Sequence, residues 1–166
     1  MHVQQSDLVI FLGVTLLTAP AFADDCAAVK TAMLNSGHTP HTAIVTATDA
    51  QGKKTVTRQV QTVDNKYVQT ADGKWHAMNI AIKDLNENTS SVKTCRQTGS
   101  DNVAGESTVV YAVHTDLEGT SGDQKMWVSS KNRIVKAEIT MQGARYTTEY
   151  DFAHVAAPAD AVPMGK

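Results

Sequence analysis

Two histidines separated by a Thr-Pro step, His38 and His41, form the chain's closest approach to a metal-binding spacing. A metal site needs three or four converging ligands, and around Pro40 the regular i to i+3 geometry of a helix is lost. His76, His114 and His154 are scattered, so solvent-exposed histidines are expected and no metal site. The acidic pairs Asp84 and Glu87, Asp101 and Glu106, and Asp116 and Glu118 sit in polar stretches, where solvated carboxylates are the ordinary outcome. Ser107, Ser129 and Ser130 have no base nearby in sequence. Neither a Gly-x-Ser-x-Gly elbow, a phosphate loop nor a His-Glu-x-x-His motif is present. No catalytic residue and no cofactor is expected, and the reading is of a protein that is not an enzyme.

Cys26 and Cys95 are the chain's two cysteines. An even pair in an exported chain favours one disulfide, whereas redox chemistry would want Cys-x-x-Cys or a thiol beside a base. Export is read from the first residues. An apolar run from Leu8 to Leu17, then Pro20 and Ala21-Phe22-Ala23, predicts a signal peptide over residues 1–23, although Met1 to Asp7 carry no Lys or Arg. The run is too short to span a bilayer, so the processed chain is not expected to cross one. A periplasmic or secreted location follows. The remainder is long enough for one domain, expected over 24–157 with a flexible tail at 158–166. A net charge of −2 without a basic stripe excludes nucleic acid as a partner.

The elements that would position any site are mostly strands. Asp24 or Asp25 caps a helix through Ala28, Val29, Ala32 and Met33, which Gly37 ends. Strands are predicted over 42–48, 55–63, 66–70 and 74–80, the last two joined by Ala71-Asp72-Gly73. Ala81 to Ser91, with Ile82 and Leu85, suits a short helix or a lid-like loop, and 92–98 suits a further strand. Four strands then follow over 108–115, 125–129, 133–141 and 145–152. In the third, Val135, Ala137, Ile139 and Met141 alternate with mostly polar neighbours, and Tyr146, Thr148, Tyr150 and Phe152 repeat the pattern in the fourth. Trp75 and Trp127 are expected as packing anchors.

The order of these segments, with Met126-Trp127-Val128-Ser129, Ile134-Val135-Lys136-Ala137-Glu138 and Tyr146 to Tyr150 followed by Asp151 to Pro158, resembles the LolA-like periplasmic lipoprotein-carrier superfamily. Tyr67-Val68 followed by Gly73-Lys74-Trp75 is similar to exported bacterial proteins of the same fold. The resemblance implies an α+β domain: a strongly curved antiparallel sheet of about eight or more strands, an unclosed half-barrel, with an N-terminal helix and a second short helix on the concave side. It implies that the concave face holds a lipid or other amphiphile, or docks an envelope protein. One helix of about three turns, roughly 18 Å long, would leave part of such a sheet uncovered. Val109, Val135, Ile139, Tyr146 and Tyr150 are the residues expected to line it, with ordinary core packing as the alternative for each. The lipoprotein chaperones carry an Arg-Pro pair in an early strand; here Arg58 reads as inward-facing, but Gln59 follows it. That departure favours a general lipid-binding or envelope-interaction module over a dedicated lipoprotein shuttle.

Overall fold

The computed structural model describes residues 25–79, 89–117 and 120–163. The expected leader and most of the stretch read as a helix or lid lie outside the described residues. One helix, α1 (Asp25–His38), precedes strands β1 (His41–Thr48), β2 (Lys54–Gln61), β3 (Asn65–Gln69) and β4 (Trp75–Asn79). There follow β5 (Val92–Val103), β6 (Glu106–Leu117), β7 (Thr120–Ser129), β8 (Ile134–Met141), β9 (Ala144–Asp151) and β10 (Val162–Pro163). All ten strands form one sheet in the order β10-β4-β3-β2-β1-β9-β8-β7-β6-β5. The sheet is unclosed, and the α+β half-barrel expected from the sequence is what forms.

Two antiparallel meanders meet at the centre, where β1 pairs with β9 from Thr42 against Asp151 to Thr48 against Arg145. The chain therefore leaves β4 near one edge and re-enters at β5, the opposite edge. Two hairpins close with two-residue loops, Ala104-Gly105 and Gln142-Gly143, in which both residues have positive φ (50° and 83°; 51° and 78°). That is the turn whose twist matches the strands it joins. Within the expected tail, Val162 and Pro163 pair in parallel with His76 and Ala77 of β4.

α1 packs on β5, β7 and β8 through Cys26, Val29, Ala32, Met33 and Ser36, one face at helical spacing. Val29 and Ala32 are fully buried against Val92, Tyr111, Val113, Met126, Val128 and Ile134. Both ends of the helix are fastened. At its start Cys26 and Cys95 form the expected disulfide, Cα to Cα 5.0 Å. Near its end the buried Ser36 hydroxyl donates to Ala32 O at 2.7 Å and accepts from Ile134 N at 2.8 Å, while Asn35 Nδ2 donates to Asn132 O at 3.0 Å.

A second apolar cluster, Val110, Trp127 and Val135, occupies the other side of the sheet, with Val103 packed against it and Phe152, just past the end of β9, touching both this cluster and His41. This corrects the simple alternation read for β8. The ladder runs Trp127 against Lys136 and then Val128 against Ile134, a bulge that shifts the register. Ile134 consequently joins the helix-side core and Val135 joins Trp127, the reverse of the face assignment expected from period 2.

Candidate functional site

Between α1 and the sheet lies a cleft of about 390 Å3 lined by residues from both meanders. One wall is apolar and comes from Met33 of α1, Met126 of β7, Ile134 and Ala137 of β8, and Tyr150 of β9. The other is polar and comes from His41, Gln59, Gln61 and Lys66 of β1, β2 and β3, with Ser36, Ser91, Thr115 and Gln124 around it. Gln61 Nε2 donates to Gly37 O, which ties β2 to the end of the helix and sets the width of the opening.

His41 is the hinge between the walls. It is buried, against the expectation of exposed histidines, with its ring edge-on to Tyr150 at 5.3 Å and tilted on Phe152 at 5.5 Å. Its Nδ1 lies 2.8 Å from Thr39 O, an acceptor only, so Nδ1 carries the proton. Burial lowers its pKa from 6.5, the Thr39 carbonyl opposes that, and the positive charge of Lys66 adds to the lowering. Burial also lowers Lys66 and raises the Tyr150 hydroxyl. Folding thus favours the neutral imidazole. The stability this contributes is complete above the unfolded value of 6.5 and is lost as pH falls from there through the depressed folded value. The thermal midpoint should therefore drop as pH falls below 6.5, and His41→Phe, which keeps a ring against Tyr150, should flatten that part of the profile. A midpoint with the same pH slope in both proteins would remove His41 from this account.

Of the residues expected to line the concave face, Tyr150 lines this cleft. Val109 packs against the helix-side core. Ile139 and Tyr146 are directly paired further along β8 and β9, and Ile139 borders a separate groove of about 320 Å3 with Thr115, Gly122 and Met141. Val135 lies across the sheet with Trp127. Arg58 is exposed opposite Ile44, itself 46% exposed, because Gln59 and Gln61 take the inward positions of β2. His41, Lys66, Gln59 and Gln124 were not expected at the site. Among the described residues no three His, Cys, Asp or Glu side chains converge on a metal position, and no helix is long and apolar enough to cross a membrane.

No family model matches the sequence, and no curated protein matches it. Solved structures do match in fold. LprF from Mycobacterium bovis is 13% identical with a TM-score of 0.50, over 84% of this chain and 99% of that one. The Mycobacterium tuberculosis lipoprotein LppX is 13% identical with a TM-score of 0.51, over 79% of this chain and 96% of that one. A chain of the Pseudomonas aeruginosa MucA/MucB complex is 14% identical with a TM-score of 0.51, over 81% of this chain and 59% of that one. At such identities the likeness is one of fold, and that fold is the curved antiparallel sheet with an N-terminal helix expected from the strand order.

Proposed function

We propose that this is an exported, non-enzymatic binding protein that holds a lipid or other amphiphile in the cleft beneath α1. The observation that carries the reading is the division of that cleft into an apolar wall from α1, β7, β8 and β9 and a polar wall from β1, β2 and β3. A space of about 390 Å3 falls within the range of small-molecule sites, and two-sided chemistry suits a ligand with a tail and a head. The single disulfide and the apolar run from Leu8 to Leu17 support an oxidising compartment outside the cytoplasm, with residues 1–23 as the leader. Similarity in fold to a lipoprotein, LppX, is consistent with a place in the cell envelope.

Purification without detergent, followed by native mass spectrometry and solvent extraction, should find the protein carrying an amphiphile of one chemical class. A protein that is ligand-free after purification and takes up no amphiphile on incubation would refute the proposal.

A second reading has its own support. β5 is a twelve-residue strand at the edge of the sheet, mostly exposed along its length, and such edges can accept a strand from an envelope protein. Crosslinking in intact cells would then give one dominant protein adduct through β5.

A further inference from the structure

Lys66 is the lysine that lines the cleft. Lys74, Lys131 and Lys136 each stand within 4.0 Å of a carboxylate, on Asp72, Glu106 and Glu138 respectively. Lys66 is half-buried on β3, lines the cleft, and has no carboxylate in reach among the described residues; no Asp or Glu is among the residues lining that space. A cation held partly out of water without a counter-charge is unfavourable, and burial already lowers its pKa. Beside it, the amide side chains of Gln59 and Gln124 line the same space and make no hydrogen bond among the described residues. His41, whose pKa burial and Lys66 lower, supplies no counter-charge. The polar wall thus presents an ammonium and unused amide groups, and no carboxylate.

Resting on the cleft reading above, we infer that the cleft selects amphiphiles with an anionic head, carboxylate or phosphate, received by Lys66 and Gln59 with the tail against Met33, Met126 and Ile134. A charge-assisted hydrogen bond at a half-buried ammonium contributes more than a neutral one, and it is the anion that supplies the missing counter-charge. An uncharged head would leave Lys66 as it is, and a cationic head would add repulsion.

The test uses the mature protein stripped of lipid and four probes sharing a twelve-carbon chain: dodecanoate, dodecyl phosphate, dodecanol and dodecyltrimethylammonium. Titration calorimetry should show both anionic probes binding about ten- to a hundredfold tighter than dodecanol, with the ammonium probe weakest. Lys66→Met, which keeps an apolar stem in place, should abolish that preference, while Lys66→Arg retains it. The ratio between dodecanoate and dodecyl phosphate identifies which head is favoured. Equal affinity for dodecanol and the anions in the unmodified protein would overturn the inference while leaving the cleft reading intact, as would a preference that survives Lys66→Met. Failure of all four probes to bind would overturn both.

Discussion

Replacing Trp127 with alanine is expected to lower the free energy of unfolding by about 3–5 kcal/mol. The indole is 5% exposed and packs with Val110 and Val135, flanked by Val103 and Phe152, on the face of the sheet turned away from α1. Its Nε1 donates to Asp101 Oδ2 at 2.9 Å, so the one polar atom of the ring is satisfied. The ammonium of Lys136 stands 4.5 Å from the ring centre and that of Lys125 5.7 Å, so two cations lie over the indole. Alanine would leave a cavity bounded by β6, β7 and β8, strands locked by their ladders and unable to collapse into it. Trp127→Phe separates the contributions. It keeps most of the packing but removes the hydrogen bond that is the first cause of the lowered Asp101 pKa, so that carboxyl should move back toward its ordinary value. Denaturant unfolding reads the first effect and an NMR titration of Asp101 the second. A loss below about 1 kcal/mol for alanine would show that this face contributes little to holding the sheet.

The same region shows where sequence reasoning reaches and where it stops. β8 and β9 were legible because each has one wetter face, so apolar and polar residues alternate, and β6 because Val109 to Val113 is a continuous apolar run rich in β-branched residues. The second half of β5 and the first half of β7 were not. Gly99-Ser100-Asp101-Asn102 and Ser121-Gly122-Asp123 have turn chemistry, yet they are extended because β6 pairs with both along its length. Pairing overrides local propensity when the neighbouring strand is long and well packed. The bulge left a trace that alternation alone passed over: Ile134 and Val135 are adjacent apolar residues where period 2 needs one, and Met126-Trp127-Val128 is a run of three. Each run feeds both faces of the sheet. The cleft was hidden for a different reason. On β2 the inward residues are Gln59 and Gln61, so a rule that sends apolar residues inward turned the strand over and put Arg58 in the cleft. A polar inward face has no periodic signature that distinguishes it from a solvated one, and Lys66 and Met126 come to line one cleft only through a topology that joins residues far apart in the chain.

Reduction of the Cys26–Cys95 bridge is expected to lower stability by as much as about 4 kcal/mol, and the thermal midpoint by roughly 10 °C for a domain of this size. The bridge spans 69 residues, so the unfolded chain it constrains is long, and chain entropy sets the ceiling. Its position adds a local consequence. β5 is bonded on one side, to β6, and most of its side chains are exposed, so the first turn of α1 is a principal tie on that edge. The far end of α1 is held separately by Ser36 to Ile134 and Asn35 to Asn132. Without the bridge the helix should loosen from its start while that end stays docked, and hydrogen exchange should rise over 26–30 and in β5 before it rises in β7 or β8. Cys26 is 7% exposed within the core, so serine would bury a hydroxyl and confound the comparison; Cys26→Ala with Cys95→Ala is the cleaner variant, to be set beside the unmodified protein in reductant. Agreement between those two would assign the loss to the covalent link itself. Uniform exchange across the sheet would instead mean that α1 and β5 unfold only with the whole domain, and that the wall of the cleft supplied by α1 is as stable as the sheet beneath it.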